Sequence, residues 1–501
     1  MSDQAIAISD SNTTCFVYGK VKVVSGNDKS GAKAKPERIK LKVRKSEEES
    51  VSGGGVSSAV SATSVNENQQ VQSALVSDTT SESEVSSAQE KQSNPPQNAQ
   101  PEDKTLVPPP KPTQKGPEGI LYDFILGARV YVPVPKKGEQ WHIQLFDTEA
   151  EVVLLDQRVG DQAVANTAKH HFMHIRILVA KIDKDGNETV VFDHQYNATD
   201  KKVLILFPAG SLGDSLGWIP YAARFQKVWC CHLSLALANT LHGLFAKSYP
   251  GMEILSAEKL KETGIPDDYY ACYYVGLFFT DEENHWQPHD FRQVGLHRTA
   301  GYILGVDPTE EPPVLTVEDD TRPIPEPYVV IATQASTQCK YWNNPYGWRN
   351  VIQFLKSKGY RVICIDKEAV YGSNLTWNAL PNGVEDETGA RPLTERARWL
   401  KHAEFFVGLS SGLAWLAWGA GIPVVIISGF THPSTEFNTP YRVFSTHVCN
   451  SCWNDIRHQF QHNNFFYCPR HRDTPKQFEC TRAISHQHVI NTIRKIPGFR
   501  E

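Results

Sequence analysis

The sequence predicts an α/β protein with two Rossmann-like halves, and three observations support this fold class. From Val203 onward, short apolar segments alternate with amphipathic segments of helical length. Such alternation is typical of parallel strands that are covered by helices on both faces. The pattern occurs twice, and each set begins with a fully apolar strand. Ligands bind such sheets at the carboxyl ends of the strands, so we expect a cleft between the halves.

The elements of both sets can be placed along the chain. In the first set we predict a strand at 203–207, a helix through 221–225, a strand at 228–231 and a helix at 233–249. In the second set we predict strands at 328–332, 361–365, 405–407 and 424–427, with helices at 346–358, 393–402 and 411–420. The uncharged stretch 410–430 is long enough to span a membrane, but its glycines and Pro423 divide it into a helix and a strand. We therefore predict no membrane span.

The rest of the chain has a different character. Residues 1–116 form a Ser- and Pro-rich segment with no aromatic residue from Gly19 to Leu121, which predicts a disordered tail. Residues 117–200 contain short alternating strands and predict a small all-β domain, a barrel or a sandwich. The complete division is a tail at 1–116, the all-β domain at 117–200, Rossmann-like domains at 201–325 and 326–445, and a cysteine knuckle with a helix at 446–501.

Composition narrows the functional class. The chain has 501 residues, of which 40% are hydrophobic, and a formal net charge of −5. These values suit a globular protein with several cores and argue against a nucleic-acid-binding protein. No basic start followed by an apolar run marks a signal peptide, so we expect a cytoplasmic protein. Ten cysteines without an export signal then indicate reduced thiols rather than a disulfide framework.

The first strand-to-helix turn contains one carboxylate. Asp214 follows the turn Ser211 to Gly213 at the predicted start of a helix. The spacing fits neither the dinucleotide-binding glycine motif nor a P-loop. Two interpretations of Asp214 remain open from position alone, a helix N-cap and a general base that faces the cleft.

The second half contains the complementary groups. Lys340 follows strand 328–332, where it is either a surface lysine or the partner of a diphosphate. The segment from Leu409 to Gly412 begins a helix, and its backbone N–H groups suit a phosphate, although a plain helix cap explains it equally well. Together these residues describe a general base opposite a diphosphate site. No Asp-x-Asp pair ends a strand in the cleft, so we expect no divalent metal for the donor.

Four cysteines near the C-terminus have the spacing of a metal site. Cys449 and Cys452 form a Cys-x-x-Cys knuckle, and Cys468 and Cys480 follow within about thirty residues. Four thiolates leave no coordination position for a substrate, which predicts a structural site. Ligand chemistry leaves zinc and iron open.

The same strings carry a family resemblance. Ser211 to Leu216, Lys340-Tyr341-Trp342 and Ser410 to Leu413 resemble the lipopolysaccharide heptosyltransferases, which are GT-B enzymes that use ADP-heptose. Longer strings, including 409–418 and the cysteine segment, resemble the bacterial autotransporter O-heptosyltransferases more closely. This resemblance covers roughly residues 118–501.

The resemblance implies roles for individual residues. Asp214 lies at the family's catalytic base and Lys340 at its phosphate-binding lysine. The remaining expected donor-site residues are Ser211, Leu212, Gly213, Gln338, Leu409, Ser410, Ser411 and Gly412. From their positions after strands, Glu436 is a candidate partner for heptose or ribose hydroxyls and Asp366 for the adenosine ribose.

The resemblance also implies partners and a cofactor. The family's acceptors are serines of autotransporter adhesin passenger domains, its cysteine site holds iron, and its members form large homo-oligomers, described as dodecamers. We therefore expect one structural iron per chain, with zinc as the alternative. We expect the knuckle to organise an inter-subunit or acceptor-facing surface without taking part in bond making, so that donor binding does not depend on it.

Two other functions remain as alternatives. One is a lipopolysaccharide heptosyltransferase, whose acceptor is a sugar. The other is a non-catalytic adhesin-binding chaperone that uses the knuckle as a contact surface. That chaperone has no use for Asp214 or Lys340, and both residues are present in context.

Overall fold

The computed structural model describes residues 6–10, 13–17, 107–208, 212–373 and 376–501. The predicted tail falls largely outside these residues, and so does Ser211. Strands β1 (Ile6–Asp10) and β2 (Thr13–Val17) pair antiparallel. The prediction of disorder therefore does not hold for these two strands.

The segment after the tail is rich in strands that belong to two different sheets. The strands are β3 (Gln114–Lys115), β4 (Leu121–Ile125), β5 (Arg129–Val132), β6 (Gln140–Asp147), β7 (Val152–Val159), β8 (Ala163–Asn166), β9 (Ile175–Ile182) and β10 (Glu188–Gln195). Four of them form an antiparallel sheet in the order β10-β9-β6-β7. The other four join the large mixed sheet of the following segment. The strands of 117–200 therefore do not form the self-contained barrel or sandwich that we predicted. The alternation of residues along a strand does not show which sheet the strand joins.

The first Rossmann-like half contains β11 (Lys202–Leu206), α1 (Leu212–Trp229), β12 (His232–Leu237), α2 (His242–Phe245), β13 (Met252–Ser256), α3 (Ala257–Thr263), β14 (Ala271–Tyr274), α4 (Phe291–Val294) and α5 (Arg298–Ile303). Its sheet has the order β13-β12-β11-β14-β4-β5-β8, and the first five strands run parallel. The predicted strand at 228–231 and helix at 233–249 are wrong, since α1 continues to Trp229 and 232–237 is a strand. A short apolar run that is buried on both sides fits either element, and here the strand forms.

The second half matches the predicted alternation. It contains β15 (Tyr328–Ala332), α6 (Gly347–Ser357), β16 (Arg361–Cys364), β17 (Val370–Ser373), β18 (Thr376–Ala379), β19 (Glu385–Asp386), α7 (Leu393–Lys401), β20 (Phe406–Leu409), α8 (Gly412–Gly419), β21 (Val424–Ile427), β22 (Arg442–Val443), α9 (Glu479–Arg482) and α10 (His486–Ile493). Six strands form a parallel sheet in the order β19-β16-β15-β20-β21-β22, and β17 pairs antiparallel with β18.

The uncharged stretch 410–430 forms α8 and β21, as predicted. Across the part of the chain that the structure describes, no helix is both long and apolar enough to cross a membrane.

The C-terminal segment packs on the second half and returns to its cleft side. In α10, Val489 and Ile493 are fully buried in the same core as Val329 of β15. The Trp342 indole N–H donates to the Ile484 carbonyl at 2.9 Å, which ties this segment to the loop after β15. The C-terminal segment is thereby attached to the loop that follows the carboxyl end of β15.

We expect truncation at residue 107 and truncation at residue 117 to have different effects. The carboxylate of the buried Asp123 binds the Arg129 guanidinium at 2.6 and 2.8 Å. Residues before 117 complete this ion pair, since the Thr113 N–H donates to Asp123 and Arg129 donates to the Pro109 carbonyl. Removing a partner from a buried polar group costs about 1–3 kcal/mol.

The chain that begins at residue 107 should therefore melt at a higher temperature than the chain that begins at 117, as measured by calorimetry. Equal melting temperatures would show that residues 107–116 do not stabilise the fold. The tail boundary predicted at 116 is corrected, because Pro109 and Thr113 hydrogen-bond to residues of the first half.

Candidate active site

A cleft of about 460 Å³ lies between the two halves at the carboxyl ends of their strands. The first half contributes Gly213 and Asp214 from the start of α1. From the second half, the cleft is lined by Lys340, Ser410, Ser411, Gly412 and Glu436. Seven residues that the sequence predicts for the donor site are thus brought together from distant parts of the chain.

The first turns of α1 and α8 meet at the cleft because small residues lie between them. A Cβ atom added at Gly412 would lie 2.7 Å from the Leu212 Cβ, and one at Gly213 would lie 2.8 Å from the Trp415 Cδ1. Both distances are below any normal contact, so larger side chains would force the helices apart. Two helix N-termini therefore open on one cleft, and their N–H groups favour an anion.

Ser411 precedes α8 but does not cap it through its side chain. The residue has extended backbone angles, and its hydroxyl makes no capping hydrogen bond. The hydroxyl oxygen is buried and has no hydrogen-bond partner among the described residues. A plain cap would use this oxygen, so the geometry favours a ligand contact at Ser411.

Lys340 is held in the cleft by aromatic rings. Its Nζ lies 5.2 Å from the ring centre of Trp453 and 5.6 Å from that of Phe460. Such cation–π contacts hold an ammonium group without neutralising its charge. Asp214, half-buried in the first turn of α1, lines the same cleft from the other half. The cleft thus places the Asp214 carboxylate of the first half and the Lys340 ammonium of the second half around one space.

Glu436 lines the cleft as one partner of a buried ion pair. Its carboxylate accepts hydrogen bonds from the Arg442 Nη1 and the Thr431 hydroxyl, both at 2.8 Å. The Ser410 hydroxyl also donates to it. This network sets the positions of Glu436 and Ser410 together.

Asp366 does not line the cleft. It is 1% exposed and accepts hydrogen bonds from the Thr333 N–H and hydroxyl at 2.8 Å, with further bonds from Gln334 and Cys364. Burial raises the pKa of its carboxyl, although these hydrogen bonds oppose the rise. The carboxylate joins the ends of β15 and β16, and this structural role replaces the predicted ribose contact.

Three other predicted donor residues support the cleft from behind. The Gln338 side chain binds Asn343 at 2.6 Å and Asn378 at 2.9 Å, and so orders the loop that carries Lys340. Leu409 is fully buried in β20, and Leu212 packs against Gly412. These residues position the lining without forming part of it.

The four predicted metal ligands surround one small cavity. Cys449, Cys452, Cys468 and Cys480 line a space of about 10 Å³, which admits little more than one atom. Cys339 also lines this space. His471 and Glu479 line it as well, and thiol, imidazole and carboxylate donors around so small a space fit zinc or iron.

A second donor set overlaps the first. One ligand atom each from Cys449, His471 and Glu479 lie within 4.8 Å of one another. His471 Nε2 lies 3.4 Å from a Glu479 oxygen, which also accepts from the Cys449 N–H at 3.3 Å. Among the described residues only this second set has its ligand atoms grouped so closely, whereas the four cysteines share the lining of the cavity with His471 and Glu479.

Comparisons with known proteins agree with this architecture. The family profile "Glycosyltransferase TibC, N-terminal domain" matches residues 116–183, and "Glycosyltransferase family 9 (heptosyltransferase)" matches residues 305–464. The chain is 49% identical over 391 residues to the autotransporter heptosyltransferase BAHTCr of Citrobacter rodentium, which covers 78% of this chain and 92% of that protein. The chain belongs to the autotransporter heptosyltransferase family. The resemblance found in the sequence is thereby confirmed.

The solved structure of a relative has the same fold as this chain. Heptosyltransferase TibC from enterotoxigenic E. coli H10407, a dodecameric iron-containing protein crystallised with ADP-D-β-D-heptose, is 47% identical. Its structure superposes with a TM-score of 0.72 and covers 78% of this chain and 98% of TibC. The GT-B-type arrangement of two α/β halves is thus common to both.

One relative in the family carries a different description. Inactive autotransporter heptosyltransferase BimC of Burkholderia thailandensis is 42% identical over 392 residues, covering 78% of this chain and 89% of BimC. Relatives at this level of identity therefore include a protein that is described as inactive.

Sequence reasoning missed the aromatic part of the cleft. The additional lining residues come from three regions of the chain and are Pro208, Trp218, Tyr274, Leu277, Phe279, Leu296, Ala335, Ser336, Trp415, Thr431, Thr435, Trp453, Phe460 and His462. Trp453 follows Cys452 directly, so the knuckle reaches the cleft itself. One sequence feature could have predicted the contact between α1 and α8. Gly213 and Gly217 are four residues apart, and both face Trp415 of α8.

We expect Gly412→Ala to weaken ADP binding and to lower the melting temperature. The added methyl group must displace Leu212, and such overpacking typically costs about 1–3 kcal/mol. Gly243→Ala is the matched control, since a Cβ there meets only the Thr394 Cγ2 at 3.5 Å. Calorimetry with ADP measures both effects, and an unchanged affinity in Gly412→Ala would refute the role of this helix contact.

Proposed function

We propose that this chain transfers heptose from ADP-heptose to serine hydroxyls of an autotransporter adhesin passenger domain. The observation that supports this function best is the cleft, where Asp214 of one half lies opposite Lys340 and the start of α8 from the other half. Membership of the autotransporter heptosyltransferase family supports the acceptor class, and TibC in complex with ADP-D-β-D-heptose supports the donor.

In the proposed reaction, Asp214 accepts the proton of the acceptor serine as the serine oxygen attacks the anomeric carbon of heptose. General-base assistance of this kind contributes about 10²–10⁴ in rate. The bond between the anomeric carbon and the diphosphate oxygen breaks, and ADP leaves with the bonding electrons. A single displacement of this kind inverts the anomeric centre.

The developing charge on ADP is stabilised by groups of the second half. Lys340 supplies a full positive charge, and the N-terminus of α8 adds N–H groups and the Ser411 hydroxyl. Fixed donors of this type remove the need for a divalent metal at the diphosphate. The pair Asp319 and Asp320 forms exposed ion pairs with Arg398 and Lys401 instead.

We further propose that Cys449, Cys452, Cys468 and Cys480 hold one iron per chain and form a structural knuckle at 446–501. Iron-containing TibC supports the metal, and the shared cavity supports the ligand set. When bound, the metal supplies a rigid crosslink and no reacting position. The proposal also includes a cytoplasmic homo-oligomer, for which dodecameric TibC is the support.

The Rossmann-like domains at 201–325 and 326–445 remain part of this proposal, preceded by the segment 117–200, whose strands are divided between two sheets. The first half then presents the acceptor side and the second half binds ADP-heptose. The match of a TibC N-terminal profile to residues 116–183 supports a distinct role for the segment before the first half.

Intact-mass analysis of a co-expressed adhesin passenger domain tests the function. Mass increments of one heptose on the passenger are expected with the wild-type chain and absent with Asp214→Asn. A passenger that binds without any mass change would support the chaperone alternative. Restoration of heptose on lipopolysaccharide, with an unmodified passenger, would support the sugar-acceptor alternative.

A further inference from the structure

Trp453 lies at the junction of the knuckle and both halves. It is 6% exposed, and its ring contacts Phe279 and Phe291 of the first half at centroid distances of 5.5 and 5.9 Å. On the other side it contacts Phe430 and Phe460 at 6.1 and 5.1 Å. A backbone hydrogen bond of 3.1 Å from the Trp453 N–H to the Phe430 carbonyl fixes its position.

The indole N–H of Trp453 is an unused donor inside this packing. The nitrogen is buried, and no residue in the described ranges accepts a hydrogen bond from it. Buried indole N–H groups normally have a partner, because an unmade hydrogen bond in the interior is costly. An indole nitrogen can only donate, so the missing partner is an acceptor.

The position of Trp453 indicates which acceptor this is. Trp453 lines the same cleft as Ser411 and Lys340, and the Lys340 Nζ lies 5.2 Å from its ring centre. The Ser411 hydroxyl is a second buried donor that has no partner among the described residues, and Ser411 lines the same cleft. Two unpaired donors and one cation in a single cleft match an anionic ligand that carries several oxygens.

We propose that Trp453 is a donor-binding residue whose Nε1–H hydrogen-bonds a diphosphate oxygen of the ADP-sugar beside Lys340. This assignment rests on the proposed function, since it takes the cleft as the nucleotide-sugar site. It also gives the knuckle a second role. The residue next to the proposed ligand Cys452 contacts the donor, so the metal site supports donor binding as well as folding.

The test compares ADP binding by full-length variants in titration calorimetry. Trp453→Phe keeps an aromatic ring among its four neighbours and removes the N–H together with the five-membered ring of the indole, a loss of volume that the control below shares. Loss of one hydrogen bond to a charged group should weaken ADP binding about tenfold or more. Trp141→Phe is the matched control, because Trp141 lies in β6, does not line the cleft and donates its N–H to the Pro133 carbonyl at 2.8 Å, so that its affinity for ADP should not change. Lys340→Ala serves as the reference for a weakened diphosphate site.

Trp453→His provides a second variant in case the phenylalanine variant unfolds. Its smaller ring retains an N–H donor, so it should bind ADP more tightly than Trp453→Phe. Wild-type affinity for ADP in a folded Trp453→Phe would overturn the assignment. Weakened binding of ADP-heptose with unchanged binding of ADP would also overturn it, because the N–H would then contact the heptose. A wild-type chain that binds no ADP would overturn the proposed function and this assignment together.

Discussion

We expect Asp214→Asn to lower heptose transfer by about 10²–10⁴ while ADP binding stays close to that of the wild type. The amide has the size of the carboxylate but cannot accept the serine proton at neutral pH. The groups that we propose for the diphosphate, Lys340 and the start of α8, lie in the second half, so the substitution leaves them in place. The measurement is the rate of passenger modification, with ADP affinity determined on the same preparation.

A matched control separates catalysis from helix stability. Glu258 occupies the first turn of α3 in the same half and does not line the cleft. An acidic residue at this helix position contributes about 0.3–1 kcal/mol through the helix dipole, whatever its function. Glu258→Gln should therefore lower the melting temperature slightly and leave transfer unchanged. Transfer by Asp214→Asn at the wild-type rate would leave Asp214 with only a structural role in the first turn of α1.

The second half could be predicted almost element by element because its signals are local. Each strand of the parallel sheet is a short apolar run, as in β15 and β21, where every residue is buried. Helix α6 shows a clear apolar stripe, with Val351, Ile352 and Leu355 buried. Gly and small residues mark the ends of these elements. Motifs such as Ser410–Gly412 could therefore be placed at strand ends from the sequence alone.

The parts that sequence reasoning missed depend on contacts between distant segments. Strand β4 joins the first half through parallel pairing with β14, about 150 residues later. Residues 107–116 look like part of a Pro-rich tail, yet they complete the hydrogen bonds of Asp123 and Arg129. No local pattern indicates such pairings.

The aromatic wall of the cleft has the same origin. Trp453 and Phe460 are 113 and 120 residues from Lys340, and only the fold brings the three together. A tryptophan next to a cysteine ligand is most simply explained by packing within the knuckle. We expected donor binding to be independent of the knuckle, and that expectation did not take the contact between Trp453 and Lys340 into account.

We expect Cys480→Ser to remove the metal, to lower the melting temperature strongly and to weaken ADP binding. Metal-binding free energy is folding free energy when the site does not exist in the unfolded chain. The knuckle core is small and includes Cys452, Trp453 and Phe460, so loss of the metal should release the residues that line the cleft. Cys231→Ser, a buried thiol outside the knuckle, should retain the metal.

A substitution of Cys449 cannot distinguish the two ligand sets, because Cys449 belongs to both. Substitutions of Cys480 and His471 can. Cys480 belongs only to the four-cysteine set, whereas His471 belongs only to the set with Glu479. If four thiolates bind the metal, His471→Gln keeps about one metal per chain and Cys480→Ser loses it. The reverse result would assign the site to Cys449, His471 and Glu479.

Elemental analysis of the wild type identifies the metal. About one iron per chain supports the proposal, zinc alone contradicts the iron assignment, and a metal-free protein contradicts the metal site.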